Sequence, residues 1–232
     1  GLVEHAFDVD AYAGAAKLAQ HLAHLDATPD STAKRTCVVV GAGLTGIETA
    51  CEMPARLREI PGSAAVRVIL VDHNVHVGSD MGEHARPVIE KALASLGIET
   101  RLGVRVSAVD DGGVTLDTGE RIAASTVIWC AGMRANPLAK TLGLSLDRLG
   151  RIPVDECLRI PEIPGAFAAG DIAACPISPG HSSVMSCQHG RPMGRYAGHN
   201  AVCDLVGEPL LPLRIDWYAT ILDLGPWGAV YT

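Results

Sequence analysis

A glycine-spaced turn between two apolar segments constrains the fold of this 232-residue chain more than any other feature. Residues 37–50 read CVVVGAGLTGIETA, in which an apolar run meets Gly41 and a helical pattern follows Gly43. The G-x-G-x-x-G spacing predicts a strand, a tight turn and a helix whose first N–H groups bind phosphate. We predict that Gly41 permits the turn, Gly43 admits a pyrophosphate, and Gly46 lets the helix pack closely. The pattern therefore predicts a dinucleotide site.

An acidic residue ends the next apolar run, VRVILVD, at Asp72. A carboxylate there accepts hydrogen bonds from a ribose 2′-hydroxyl and repels a 2′-phosphate, which favours NAD over NADP. His73 weakens that preference if it is protonated. The turn taken alone leaves a methyltransferase, or a sheet that binds no nucleotide, as alternatives. The nearby histidines fit no standard ligand spacing with Asp72, so we expect no metal site.

The rest of the chain predicts an α/β fold. A helix over residues 8–25, with Asp8 as its N-cap, precedes a polar linker. Strands at residues 36–40, 66–71 and 98–102 alternate with a helix of about 13 residues after the glycine turn and a helix around residues 82–96. Pro54 is expected to bend or shorten the first of these two helices. Residues 104–126 predict an antiparallel meander and residues 126–132 a last strand.

Composition excludes several classes of protein. The net charge of −7 argues against a nucleic-acid partner, and no apolar run approaches the roughly 20 residues that span a bilayer. The seven cysteines have no close spacing, which disfavours a disulfide scaffold and favours a reducing compartment. We therefore expect a cytoplasmic protein.

A second strand-end pattern follows in the C-terminal half, where the predicted strand AFAA meets Gly170 and Asp171. A glycine after a buried strand lets the backbone approach a ligand, and the following carboxylate is placed to hold a sugar or ribityl hydroxyl. From the residues alone, this is a second candidate ligand site in the same chain.

The motifs together resemble the FAD- and NAD(P)-dependent pyridine nucleotide-disulfide oxidoreductase superfamily, nearest to its type II NADH dehydrogenases. The matching segments are VVVGAGLTGIETACEM, VIWCAGMRANPLAKTLGL, GRIPVDECLRIPEIPGAFAAGDIA, QHGRPMGRYAGHNA and LDLGPWGAV. In such flavoproteins an FAD glycine motif comes first and the NAD domain is inserted before the FAD domain is completed. The resemblance implies a Rossmann-like NAD-binding domain at 8–131, with the preceding helix and linker at 8–35, and the C-terminal part of an FAD-binding domain at 132–232. It also implies that the sequence is a fragment lacking the earlier FAD motif.

The same resemblance assigns the candidate site residues. The NAD-binding positions are Gly41, Gly43, Gly46 and Asp72. Glu48 matches an acidic residue near the nicotinamide and is the candidate catalytic residue. Gly132 lies at the crossing between the domains. The flavin-binding positions are Gly170, Asp171 on the ribityl chain, and Gln188 in a helix near the isoalloxazine ring.

The implied function is hydride transfer from NADH to FAD and then to an acceptor, with the fragment inactive alone. Quinone or another acceptor remains open, because Val184 stands where the branch usually has glutamine and Pro192 is expected to interrupt the following helix. An NAD-binding or redox-sensing module without turnover is the alternative. An unrelated Rossmann-type transferase is disfavoured by the order of the two glycine motifs. Peripheral membrane association and a homodimer are left open.

Overall fold

The structure, a computed structural model, describes residues 4–61, 65–215 and 219–232. The chain forms two compact units. The first comprises the residues up to Gly132 together with Thr220–Thr232, and the second comprises Met133–Ala219. Each unit has its own apolar core.

The first unit is built on a parallel sheet. Its strands up to the chain crossing are β1 (Thr36–Val40), β2 (Arg67–Asp72), β3 (Ile98–Leu102), β4 (Val106–Asp110), β5 (Gly113–Leu116), β6 (Arg121–Ala123) and β7 (Thr126–Trp129). The parallel sheet has the order β3-β2-β1-β7, with Val38 in register with Ile69 on one side and Val127 on the other. All five residues of β1 are buried, as expected for an inner strand covered on both faces. The predicted α/β class is confirmed.

Three helices accompany this sheet: α1 (Tyr12–His24), α2 (Leu44–Arg58) and α3 (Arg86–Ser95). The helix α2 follows the glycine turn and buries Ile47, Cys51 and Leu57 in the core. The prediction that Pro54 shortens it is wrong, because α2 has 15 residues and continues four residues past the proline. Apolar packing on both sides of Pro54 outweighs the single backbone hydrogen bond that a proline removes.

The start of α1 differs from its prediction. The helix begins at Tyr12 after Ala11, and no side chain of the described residues caps it. Asp8 is not the N-cap; instead it lies so close to Gly14 that a Cβ there would overlap its carboxylate. Similarly, α3 begins at Arg86, later than the predicted start near residue 82, with Pro87 in its first turn.

The predicted meander is confirmed as the antiparallel sheet β4-β5-β6. Val109, Val114 and Ile122 from this sheet pack with Val38 and Val127 of the parallel sheet in one apolar cluster. The meander thereby covers one face of the parallel sheet, and α2 and α3 contribute to the core cluster on the other.

The second unit contains β8 (Ile152–Pro153), β9 (Ala173–Ala174), β10 (Pro176–Ser178), β11 (His181–Ser182) and the helix α4 (Cys187–Val206). The prediction that Pro192 interrupts this helix is wrong, since α4 runs for 20 residues. Pro192 is near its start and removes one backbone bond. The predicted strand AFAA is also wrong: only Phe167 forms an isolated bridge, to Arg159, and a 3₁₀ turn begins at Gly170.

The last segment returns to the first unit as a hairpin of β12 (Ile221–Asp223) and β13 (Ala229–Tyr231). Leu222, Leu224 and Val230 join the core cluster that contains α2. The sequence-based domain boundaries placed these residues with the second domain. Further 3₁₀ turns lie at Leu25–Ala27, Ser79–Met81, Pro137–Leu142 and Gly225–Trp227.

Candidate functional site

The glycine turn lies at the carboxyl end of β1, as the sequence predicts. Gly41 has φ +108°, and a Cβ on it would stand 2.8 Å from the backbone carbon and oxygen of Cys130. A Cβ on Gly46 would overlap the carbonyl oxygen of Gly41. Both positions therefore require glycine for reasons internal to the fold: one for backbone conformation and close approach, the other for packing α2 against the turn.

Gly43 is different because nothing in its backbone demands glycine. It is the N-cap of α2 with φ −77° and ψ −173°, a conformation that any residue adopts. No side chain in the described part of the chain caps the helix there. The first N–H groups of α2 consequently lack a side-chain partner at its N-terminus, which is the position suited to an anion.

Asp72 ends β2 beside this turn and is 8 % exposed. Its Oδ2 accepts a hydrogen bond from the backbone N–H of Ala42 at 2.5 Å, and its Oδ1 accepts one from the N–H of Asn74 at 2.6 Å. His73 Nδ1 lies 3.4 Å from Oδ1. The carboxylate thus fixes the turn itself, and each oxygen retains a second lone pair for a further donor. Sequence reasoning missed this supporting role.

Glu48 lies on α2, one turn beyond the glycine turn. It is half-buried, and its Oε1 accepts a hydrogen bond from the backbone N–H of Asp223 at 3.2 Å. The candidate catalytic carboxylate is therefore tied to the C-terminal hairpin, a contact that sequence spacing could not reveal. Nearby, burial raises the pKa of the Cys130 thiol to about 11. This cysteine is consequently held as a thiol at neutral pH rather than as a nucleophilic thiolate.

In the second unit the start of α4 packs against the 3₁₀ turn that carries two of the predicted flavin-binding residues. Gly170 begins a 3₁₀ turn with φ +78°, and the exposed Asp171 follows it. A Cβ on Gly190 would stand 3.6 Å from the Cα of Gly170, so the first turns of α4 pack against the 3₁₀ turn. Gln188, which lies in the first turn of α4, accepts a weak hydrogen bond from the thiol of Cys187 at 3.3 Å.

Two groups near the start of α4 were missed from the sequence. Ser186 is its N-cap residue, and its buried Oγ has no hydrogen-bond partner among the described residues. His189 accepts a hydrogen bond at Nδ1 from the backbone N–H of Val184 at 3.0 Å, and burial lowers its pKa. A serine directly before a helical pattern is a preferred N-cap and could have marked Ser186, whereas no local signal marks His189 as a buried residue.

Gly132 is the last residue of the first unit before the chain crosses to the second. It has φ +96°, and a Cβ there would meet no atom of the described residues within 4 Å. The glycine is therefore explained by its backbone conformation.

The parallel order β3-β2-β1, the glycine turn and the acid at the end of β2 define a Rossmann-type dinucleotide-binding unit. The family model described as "Pyridine nucleotide-disulphide oxidoreductase" matches residues 1–194, and the chain belongs to that family. This confirms the superfamily that the sequence motifs resemble.

Named relatives agree with this membership. An NADH dehydrogenase-like protein of Mycobacterium tuberculosis is 60 % identical over the whole of this chain. A type II NADH:quinone oxidoreductase of the same organism is 36 % identical over 66 % of this chain and 36 % of its own length. The chain spans 59 % of the length of the first of these relatives.

Solved structures share the fold. NDH2 from Plasmodium falciparum, in complex with NADH, superposes with a TM-score of 0.80 at 13 % identity, covering 100 % of this chain and 65 % of that protein. A ferredoxin reductase from Rhodopseudomonas palustris superposes with a TM-score of 0.73 at 21 % identity, covering 96 % and 51 %. Among the described residues, no helix is both long and apolar enough to cross a membrane.

Proposed function

We propose that the protein containing this chain is an FAD-dependent NADH dehydrogenase, in which hydride passes from NADH to FAD and electrons pass on to an acceptor. The family membership and the NADH dehydrogenase-like relative at 60 % identity support this proposal. The observation that carries it is the glycine turn, where the backbone conformation of Gly43, unlike that of Gly41, does not require glycine. A pyrophosphate that approaches the backbone supplies a reason for glycine there.

The first unit fits the NAD dinucleotide. The uncapped start of α2 offers N–H groups to the phosphates, and Asp72 retains lone pairs for a ribose hydroxyl. A 2′-phosphate beside this carboxylate would suffer charge repulsion, and the neighbouring His73 offsets it only when protonated. We therefore propose NADH as the preferred donor over NADPH.

The second unit fits part of FAD. The open turn at Gly170, the exposed carboxylate of Asp171 and the start of α4 lie side by side. The unpartnered Oγ of Ser186 is the buried polar atom that a ligand at this helix end would satisfy. We propose that Asp171 accepts from a ribityl hydroxyl and that Gln188 faces the ring system.

FAD supplies the hydride chemistry when it is bound. The chain's own residues bind and orient the two cofactors. Glu48 is proposed to lie on the nicotinamide side, where its anchored carboxylate sets the charge near the reacting ring. Ala131 and Gly132 are proposed to form the crossing between the two cofactor domains.

The acceptor is proposed from the relatives' names. A relative at 36 % identity is named a type II NADH:quinone oxidoreductase, which makes a quinone the first acceptor to test. Val184 remains a departure from that branch, whereas the objection from Pro192 disappears because α4 is continuous. A cytoplasmic protein with peripheral membrane association is the corresponding proposal for location, and cell fractionation checks it.

Calorimetric titration of the chain with NADH, and separately with NADPH, tests the proposal at its first step. We expect NADH to bind, and the Gly43→Val protein to fold but bind at least about tenfold more weakly. Absence of NADH binding by a folded chain would contradict the proposal. In the full-length protein, NADH binding without flavin reduction would instead favour a redox-sensing module that has no turnover.

A further inference from the structure

A cleft separates α1 from α2 in the first unit. Its volume is about 810 Å³, within the range of ligand pockets. On α1, the residues that line it recur at helical spacing on one face: Ala15, Leu18, Ala19, Leu22 and Ala23. The three alanines leave the space between the helices open, because they are too small to fill the grooves of α2. We call this space the α1–α2 cleft.

The floor of the α1–α2 cleft is apolar. Leu18, Met53 and Ile60 line it and are 8 %, 3 % and 7 % exposed. An apolar floor of this kind suits a hydrocarbon or aromatic body, whose burial removes apolar surface from water. Neither helix presents an aromatic side chain to the cleft.

The rim of the cleft is acidic. Its carboxylates are Asp26, Glu48, Glu52, Glu59 and Asp223. The cation among the described lining residues is Arg56, which stands 3.8 Å from Glu59 and is thereby partly neutralised. Three of these carboxylates also act on the buried Cys51 thiol of α2, whose pKa is raised to about 12 by burial first and then by Asp223, Glu52 and Glu48.

We propose that the α1–α2 cleft binds a lipophilic organic cation, a molecule with an apolar body and one or more positive charges. The apolar floor takes the body, and the acidic rim takes the charge. An anion of the same size is excluded by the rim. The cleft borders the proposed nicotinamide side, because Glu48 also lines its rim. Binding of the cation is measured without NADH or flavin, so the success or failure of this proposal is independent of the proposed dehydrogenase activity.

Two probes of nearly equal shape and opposite charge test the proposal. Tetraphenylphosphonium and tetraphenylborate are titrated by calorimetry into the purified 232-residue chain at low salt. We expect saturable binding of the phosphonium and none of the borate, with the phosphonium affinity falling as sodium chloride rises. Equal binding of both ions would overturn the proposal, and so would binding of neither.

Matched variants locate the binding. Ala19→Trp fills the cleft and Glu52→Gln removes a rim charge, and each should weaken phosphonium binding about tenfold. Ala13→Trp, exposed on α1 outside the cleft, and Glu90→Gln, exposed on α3, are the controls and should leave it unchanged. Thermal unfolding confirms that each variant is folded.

An unchanged phosphonium affinity in both cleft variants would overturn the proposal. Light scattering tests whether a second copy of the chain occupies the cleft instead. If Ala19→Trp changes the mass of the particle in solution and leaves phosphonium binding unchanged, the cleft is a contact between copies of the chain and the proposal fails.

Discussion

The backbone N–H of Ala42 donates a hydrogen bond to Oδ2 of Asp72 across 2.5 Å, joining the turn after β1 to the end of β2. The same carboxylate accepts from Asn74 through its other oxygen. The acid expected to meet a ribose hydroxyl therefore also holds the glycine turn in shape. We therefore expect affinity for the dinucleotide and stability of the fold to depend on one side chain.

Asp72→Ala should therefore reduce both the affinity for NADH and the stability of the fold. Hydrogen bonds to charged groups contribute about 1.5–3 kcal/mol each, and the substitution leaves the buried Ala42 N–H without its partner. We expect the free energy of unfolding to fall by about 2–3 kcal/mol in urea titrations, and NADH to bind at least about tenfold more weakly. Glu90→Ala, at an exposed position of α3, is the control. A variant with wild-type stability would show that the Ala42 bond contributes little.

The glycine turn offers a matched pair of substitutions. Gly46→Ala places a Cβ against the carbonyl oxygen of Gly41, so we expect a loss of about 3 kcal/mol or more. Alanine in a helix is otherwise up to about 1 kcal/mol more favourable than glycine. A decrease in the free energy of unfolding would therefore indicate the steric overlap with Gly41, and an increase would contradict it.

Gly43→Ala should instead leave the stability nearly unchanged and weaken the binding of NADH. The backbone at Gly43 suits alanine, so stability in urea stays within about 1 kcal/mol of the wild type. NADH affinity should nevertheless fall at least about fivefold, because the new methyl group would stand where we propose that the pyrophosphate approaches. Wild-type NADH affinity in a folded Gly43→Ala protein would contradict the assignment of this turn.

Asn200 supports the second unit in a way that allows a further test. This fully buried residue of α4 donates from Nδ2 to the carbonyl oxygens of Cys157 and Leu211, at 2.9 and 2.8 Å, and accepts at Oδ1 from the N–H of Leu211. Asn200→Asp replaces the donor by an oxygen that faces two carbonyl oxygens. We expect a loss of about 3 kcal/mol or more in the unfolding of this unit.

Asp204→Asn is the control. It exchanges a carboxylate for an amide on the partly exposed face of the same helix, where we expect little effect on the free energy of unfolding. Its expected cost is about 1 kcal/mol or less, since it removes only the ion pair with Arg159. Equal losses of unfolding free energy in Asn200→Asp and Asp204→Asn would show that the three hydrogen bonds of Asn200 contribute little to stability.

Local pattern was sufficient for the glycine turn, the parallel strands and the meander, because each is encoded in adjacent residues. It was insufficient where contacts between distant segments of the chain determine the structure. Nothing near Glu48 in sequence indicates that it accepts from Asp223, 175 residues away. Pro54 and Pro192 carry a strong helix-breaking preference, yet packing along α2 and α4 overrides it. The AFAA segment has the apolar character of a strand, but only Phe167 finds a bridging partner.

Stability should fall in mild acid partly through His21. This residue of α1 shares a hydrogen bond of 3.0 Å with the buried hydroxyl of Thr126, and burial lowers its pKa, opposed in part by a hydrogen bond with the backbone of Ser125. Above the unfolded value of 6.5 the ring is neutral in both states, so its contribution is fully present. As the pH falls below 6.5, the unfolded chain binds a proton that the folded chain resists. The free energy of unfolding then declines, by at most about 1.4 kcal/mol per pH unit for one group.

Urea unfolding at pH 7.5 and 5.5 measures this decline. His21→Gln keeps a polar group near Thr126 without a titrating ring, so its loss between the two pH values should be smaller than that of the wild type. Burial also lowers the pKa of His189, which contributes in the same direction. Part of the decline in stability should therefore persist in His21→Gln. His76→Gln, at an exposed position, controls for the removal of a histidine. An identical pH dependence in His21→Gln and the wild type would mean that His21 titrates alike in the folded and unfolded chain, and that the contact of α1 with β7 does not depend on its charge.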